Sequence, residues 1–579
     1  MTPVRRRLGA WRQQDGTYEF RVWAPAAGSV ALILEGKVLP MLEEGDGCHA
    51  CVHACAPGMR YRYCMDGSLS VPDPASRWQP DGVHGASAIP DEDAYAWRTT
   101  GGAGRAWSEA VLYEVHVGAV GGYRALEAQL PALAAMGITA LQLMPLATFA
   151  GSRNWGYDGV LPYAPTSVYG SPDELKSLVD AAHALRMLVL LDVVFNHFGP
   201  EGNHLAAYAP AFFREDLRTP WGAAIDFRQP WVQRYFIENA LMWLRDYRFD
   251  GLRLDAVHAI HPQTFLQTLR EAIHDDGPRH PVYLVVENEN NAASLLDQGY
   301  AAQWNDDFHN ALHVVLTGEH EGYYADFAAA PAARLARVLS EGFAWQGEIT
   351  RRGHARGEPS GGLSPDHFVV FAQNHDQIGN RAFGDRLQVS VAPARLQVAQ
   401  ALTALTPMIP LFFMGEPWGA REPFLFFTDF PPPLDAAVRD GRRAEFGHFA
   451  AFAEPHARAS IPDPNAVETF EASRCPLPPP HALADNAWLT AFKTNLALRR
   501  RYLADGAAQA RSLGAAVLAD HAVRAGWQLP GGQWWLAFNL GTGRVDASLP
   551  DGDTVLALGD VDAIGMLAPG TMLVRWVAQ

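Results

Sequence analysis

Long apolar runs are missing from this 579-residue chain. Nowhere do about 18 hydrophobic residues follow one another, which excludes a membrane-spanning helix. Cysteine is scarce, five in all with four of them between Cys48 and Cys64, so no disulfide framework can brace a chain of this length. Positive charge is also in deficit: 46 Lys and Arg stand against 63 Asp and Glu. The resulting net charge of −17 repels phosphate backbones and anionic lipid surfaces, so nucleic acid and membrane are not expected partners. The opening stretch MTPVRRRLGAWRQQDG has basic residues but no apolar core of signal-peptide length. A cytoplasmic protein with reduced thiols is expected. Hydrophobic residues at 48% and charged residues at 19% exclude general disorder, and no internal repeat or low-complexity tract occurs.

What is present is order of two kinds. Residues 1–98 contain short alternating runs, YEFRVWAP, VALILEG and MRYRYCMDG, punctuated by Gly, Pro and Asp, as in an immunoglobulin-like β-sandwich. TTGGAGRAW, from Thr99, reads as a linker because its glycines disfavour helix and strand alike. Eight apolar runs then alternate with amphipathic segments: VLYEVHVG, ALQLMPL, LVLLDVVFNH, GLRLDAV, YLVVENE, a run near Gln303, HFVVFAQNHD and IPLFFMG. This is the pattern of βα units, and it predicts an α/β fold with a central (β/α)8 TIM barrel over 99–505. Insertions at 151–169, after the second strand, and at about 416–480, after the eighth, should leave the active-site face and shape a cleft. A small C-terminal β-domain is expected over 506–579.

Strands buried on both faces read as continuous apolar runs, and in such a barrel their carboxyl ends open onto the active-site face. Asp255, Glu287 and Asp376 lie at three such ends, a layout suited to acid-driven cleavage of a glycosidic bond. Residues two apart in a strand share a face, so Arg253 should lie beside Asp255 and keep it ionised as a nucleophile. Glu287, the first polar residue after LVV, is the candidate proton donor; Glu289 shares its face, and pattern alone does not exclude it. Asp376 could stabilise an oxocarbenium-like transition state, with His197 and His375 donating to sugar hydroxyls.

The four segments LVLLDVVFNH, GLRLDAV, YLVVENEN and HFVVFAQNHD resemble the four conserved regions of the α-amylase superfamily of retaining glycoside hydrolases. The longer stretches NWGYDGVLPYAP, QWNDDFHNALHVVLTGEHEGYY and QNHDQIGNRAFGDRL resemble more narrowly the maltooligosyltrehalose trehalohydrolases. That resemblance implies hydrolysis of the α-1,4 bond next to a terminal trehalose unit, with Asp255, Glu287 and Asp376 as nucleophile, proton donor and transition-state stabiliser. It implies maltooligosyltrehalose and α-1,4-glucan oligosaccharides as binding partners, and no cofactor. It also implies substrate contacts at Arg253, Leu254, Ala256, Val257 and His258, at Asp306, Asp307, Phe308, His309 and Asn310, and at His375, Gln377, Ile378, Gly379 and Asn380. Tyr157 matches an aromatic that stacks on the sugar before the scissile bond. Trp155, Trp304, Trp418 and Phe424 are further candidates to face glucose rings. A glucan branching enzyme shares the same barrel and acids and is the nearest alternative.

Two features resemble metal sites. CHACVHAC, from Cys48, has suggestive spacing, but strand alternation puts Cys48, Ala50 and Val52 on one face and His49, Cys51 and His53 on the other, and a plain strand is expected. Asp192 and Asn196 stand where some amylases bind calcium, yet no full oxygen cage is evident and Asp192 is expected to order the acid network instead. No metal is expected.

Overall fold

The computed structural model describes residues 7–219 and 222–578. Eight parallel strands close into a barrel: β1 Leu112–Val115, β2 Ala140–Leu143, β3 Leu188–Val193, β4 Gly251–Leu254, β5 Tyr283–Val286, β6 Ala302–Trp304, β7 Phe368–Val370 and β8 Ile409–Phe413. Each pairs with its successor, and β8 returns to β1 through Leu112 opposite Leu411. All eight coincide with the predicted runs.

Alternation along these strands sorts their side chains. Leu112, Leu188, Leu190, Val285, Ala302, Trp304, Val369, Phe371, Ile409 and Leu411 fill the barrel interior as one apolar cluster. Their neighbours, among them Tyr113, Leu141, Val189, Leu252, Leu284 and Val370, join the larger core formed with the surrounding helices. Two residues beyond the interior apolar layer, the inward columns turn polar: Glu114 follows Leu112, Asp192 follows Leu190, Glu287 follows Val285 and Asp306 follows Trp304. Period-two geometry therefore delivers acids from several strands to one end of the barrel.

The N-terminal region forms two antiparallel sheets, one from Gly9–Arg12, Tyr18–Trp23, Leu42–Glu43 and Cys48–His53, the other centred on Val30–Leu34 and Arg60–Met65. They meet face to face, with Phe20 of the first sheet edge-on to Tyr61 of the second at 5.1 Å. CHACVHAC lies within and just beyond the strand Cys48–His53, and among the described residues no His, Cys, Asp and Glu cluster is arranged to hold a metal ion. The glycine-rich linker is tied to the barrel: Asp180, buried on the helix Pro172–Ala184, accepts hydrogen bonds from the backbone N–H groups of Arg98 and Thr99. At the other end, five antiparallel strands between Arg511 and Ala578 form a sheet that docks through Trp534, whose indole donates to Leu405 O at 2.8 Å.

The insertions after β2 and β8 meet each other. The first contains the hairpin Ala147–Phe149 and Gly159–Pro165; the second contains the helices Leu434–Glu445 and Val467–Ala472. Asp429 of the second accepts from the Ser152 backbone at 2.8 Å and the Ser152 hydroxyl at 2.7 Å, and pairs with Arg153. Trp155 donates to Leu425 O at 2.9 Å. An excursion not anticipated from sequence follows β3, where Phe213–Thr219 and Gly222–Ile225 pair as antiparallel strands.

Candidate active site

Arg253, fully buried at the inward position of β4, is the hub of the acid cluster. Its Nη1 donates to Asp192 Oδ2 at 2.7 Å and Asp255 Oδ1 at 2.8 Å, while Nη2 is 3.1 Å from Glu287 Oε2. The guanidinium lies over the Trp304 ring at 4.2 Å, so the barrel's apolar plug also carries its central cation. Around it, Asn196 donates to Asp255 Oδ2 at 2.8 Å and the Tyr157 hydroxyl donates to Asp192 Oδ2 at 2.6 Å.

The chain after Asp255 turns through Ala256 in the left-handed region, φ 42°, a conformation that costs a residue with a Cβ about 1–2 kcal/mol. The turn has a use. It directs the Ala256 N–H to Glu287 Oε2 at 2.8 Å and the Val257 N–H to Glu287 O at 3.0 Å, coupling β4 to β5 at the acids themselves.

The two carboxyls have opposite proton affinities. Burial by itself would raise Asp255, but the Arg253 charge, His197 and hydrogen bonds from Asn196 and Arg253 outweigh it and hold the group below the usual carboxylate range. Glu287 is raised well above that range, first by burial and then by the negative charges of Asp255, Asp376 and Asp306, against the opposing pull of Arg253. One acid is thus set to be an anion and the other to keep its proton. Geometry also separates Glu287 from Glu289. The Glu287 side chain is 19% exposed within the cluster, whereas that of Glu289 is 58% exposed and faces Arg352.

Asp376 enters from the loop after β7. Asn374 caps the short helix His375–Gly379, accepting from the N–H groups of Asp376 at 2.9 Å and Gln377 at 3.3 Å. Asp376 then accepts from Asn380 at 3.2 Å. His375 stacks on Tyr157 with ring centres 5.1 Å apart, and Trp155 meets it edge-on at 5.5 Å. His197 faces Tyr157 O through Nε2 at 3.0 Å.

Of the other expected contacts, Tyr157, His258, Asp306, Asn310 and Gln377 are partly accessible and Asn380 is exposed. Asp306, pushed up to about 7 chiefly by burial and then by Asp376, accepts from Gln377 at 3.4 Å. The expectation of direct contact is corrected for several residues. Leu254, Val257, Phe308 and Ile378 are packed in the core. Buried Asp307 serves instead as an anchor, accepting from Asn291, Ala344 N and Trp345 N and pairing with Arg356 at 2.9 Å. His309 spends its ring nitrogens on Ala372 O and the Tyr324 hydroxyl. Gly379 is a close-packing position, since a Cβ there would lie 2.1 Å from the Trp155 ring. Trp155, Trp304, Trp418 and Phe424 are all buried, so none presents a ring face to solvent; Trp155 stacks on Phe424 at 5.3 Å.

Asp192 is committed to the acid network. Both oxygens of Asp192 are engaged by Arg253, one of them also by Tyr157, and the guanidinium already supplies the positive charge.

Sequence reasoning missed Glu114. Fully buried on β1, it accepts from the His375 backbone N–H at 3.0 Å and sits 2.5 Å from His375 Nδ1. An acid among apolar inward positions was the available signal.

Residues 95–209 match the alpha amylase catalytic-domain family. The malto-oligosyltrehalose trehalohydrolase of Deinococcus radiodurans is 42% identical over 481 residues, covering 81% of this chain and 79% of that one. The enzyme of the same name from Arthrobacter ramosus is 38% identical over 597 residues, covering 96% and 99%. A Salmonella typhimurium crystal structure assigned to the alpha amylases superposes with a TM-score of 0.93 at 42% identity, over 99% of both chains. With this identity sustained over most of its length, around a barrel that gathers its acids at one end, the chain belongs to the malto-oligosyltrehalose trehalohydrolase family.

Proposed function

We propose that this protein is a retaining glycosidase that cleaves the α-1,4-glucosidic bond next to the terminal trehalose unit of maltooligosyltrehalose, releasing trehalose and a maltooligosaccharide. The observation that carries this reading is the sharing of Arg253 by Asp255 and Glu287, which displaces their proton affinities in opposite directions. The retaining course follows the α-amylase relatives, and it requires the two carboxyls to stand about 5–5.5 Å apart. Asp255 attacks the anomeric carbon as Glu287 gives its proton to the departing glucosidic oxygen of the trehalose unit. Glu287, now a carboxylate, takes a proton from water as that water displaces Asp255, and the anomeric configuration is retained. Asp376 supports the positive charge that develops on the sugar between these states. Tyr157, His258, Asp306, Asn310, His375, Gln377 and Asn380 are the proposed partners of the sugar hydroxyls, whereas buried His197 has its ring nitrogens engaged by Asn196 and Tyr157 O. Five cysteines outside any disulfide suit the cytoplasm, where this reading places the enzyme.

The test is to incubate the protein separately with a maltooligosyltrehalose and with the maltooligosaccharide of equal length, then to quantify trehalose and glucose. Dominant trehalose release is expected. Equal cleavage of both substrates would leave only a general α-amylase-type activity, and appearance of α-1,6 branches would make the chain a branching enzyme.

A further inference from the structure

The reaction above leaves Glu114 without a part, although it is a carboxyl buried at the mouth of the barrel. Its two oxygens hold one residue twice: Oε2 accepts the His375 backbone N–H at 3.0 Å and Oε1 faces His375 Nδ1 at 2.5 Å. On the far side of the same ring, Nε2 lies 3.4 Å from Asp376 Oδ1. A neutral imidazole has one donor nitrogen and one acceptor, and ionised carboxylates only accept. A ring facing a carboxylate at each nitrogen is satisfied at both only as the doubly protonated cation.

We infer that Glu114 is a positioning residue that holds His375 as a permanent imidazolium, so that the Nε2–H of His375 serves as a charged donor beside Asp376 at the reacting sugar. This deepens the proposed function and rests on it, since it names how one of that site's sugar-facing groups is charged.

The other groups around the ring do not offer a different balance. Tyr157 from the first insertion stacks on the ring face, while Trp155 and, at 6.0 Å, Trp304 of β6 supply apolar contact. Arg253 of β4 and His116, just beyond β1, are the cationic or ionisable neighbours; His116 is lowered to about 4, mainly by burial, and so is neutral. Burial and Arg253 oppose a charge on His375, but Asp376, Glu114 and the Glu114 hydrogen bond prevail and raise it to about 9. An imidazolium donor forms a charge-assisted hydrogen bond, roughly twice as strong as a neutral one. Asp376, meanwhile, keeps its side chain 39% exposed.

The test uses the full chain labelled with [13Cε1]histidine, the His375 resonance being assigned by its loss in His375→Gln. In the wild type this resonance should sit at the imidazolium position at about pH 7.5, above the ordinary histidine range. In Glu114→Gln it should move to the neutral position at that pH, and kcat/KM should fall about tenfold near pH 8 but by less than about threefold near pH 5.5. Glu114→Asp, which keeps the charge, should return the resonance toward the imidazolium position. A neutral His375 in the wild type at about pH 7.5 overturns the inference without any variant having to fold. So does a Glu114→Gln loss equal at both pH values, which would mark a merely structural role. Absence of trehalose among the products would refute the proposed substrate while leaving the histidine titration as an independent reading of Glu114.

Discussion

Asp255 and Glu287 are tied to the two ends of a single guanidinium, Nη1 of Arg253 at 2.8 Å from the first and Nη2 at 3.1 Å from the second. Asp255 also draws on Asn196, His197 and the nearer, hydrogen-bonded end of Arg253, whereas Glu287 has three further acids in its field. The asymmetry of their neighbours, rather than residue type, moves their proton affinities in opposite directions.

Removing either carboxyl tests the roles proposed for them. Asp255→Asn should abolish turnover, and Glu287→Gln should lower it by about 10²–10⁴-fold, the range that general acid catalysis supplies. Thermal unfolding should show both variants folded. On a glycosyl fluoride, whose leaving group needs no proton, Glu287→Gln should recover formation of the covalent intermediate while Asp255→Asn should not. Near wild-type activity in either variant on the natural substrate would refute the roles.

The alkaline limb of activity should report Glu287, which must hold its proton, so rate falls as pH rises through its elevated pKa. Asp306 is one of the acids that raise it. In Asp306→Asn that negative charge is gone, Glu287 ionises more readily, and the limb should move to lower pH. The displacement should be visible only above about pH 7, where Asp306 is itself charged. A kcat/KM profile of the variant that keeps the wild-type limb would show that the two acids are not coupled.

Arg253→Met would leave Asp192 and Asp255 buried beside Glu287 without their cation. Breaking a buried pair in this way costs about 3–5 kcal/mol. The folded-state pKa values of the stranded acids would then exceed their unfolded values, so their share of stability is present at low pH and lost as pH rises through those values. Urea unfolding should therefore find the variant closest to wild type near pH 5 and furthest from it near pH 8. The reverse order would contradict the electrostatic account.

Tyr157→Phe removes one hydrogen bond, the 2.6 Å donation to Asp192, while sparing the ring that stacks on His375. A hydrogen bond to a charged acceptor is worth about 1.5–3 kcal/mol. Roughly a tenfold or greater loss in kcat/KM is expected with a small change in Tm, and Tyr157→Ala should lose more. Equal losses in the two variants would mean that the ring contributes nothing beyond its hydroxyl.

Much of this was legible in the sequence, for a definable reason. Barrel strands announce themselves because both faces are buried, and the acids at their ends interrupt otherwise apolar runs. What stayed hidden were relations across the chain. Glu114 and His375 are 261 positions apart, and although an acid inside the apolar run VLYEVHVG stands out, nothing local to it names the partner. The choice between Glu287 and Glu289 required the position of Arg253. Trp155, Trp304 and Phe424 looked suited to sugar stacking, yet each ring is packed inside the protein, because an indole or phenyl ring suits a core as well as a ligand. The βαβ pattern likewise gave no sign of the paired strands Phe213–Thr219 and Gly222–Ile225 after β3.

The knot of Ser152, Arg153 and Asp429 ties segments 277 residues apart. During synthesis, the first insertion therefore emerges long before its partner and waits with its polar groups in water while the acids at β3, β4 and β5 are already made. One wall of the cleft comes into being only after most of the barrel has been translated. Replacement of Asp429, remote in sequence from Asp255, Glu287 and Asp376, would untie the two insertions from each other without touching any of those three acids.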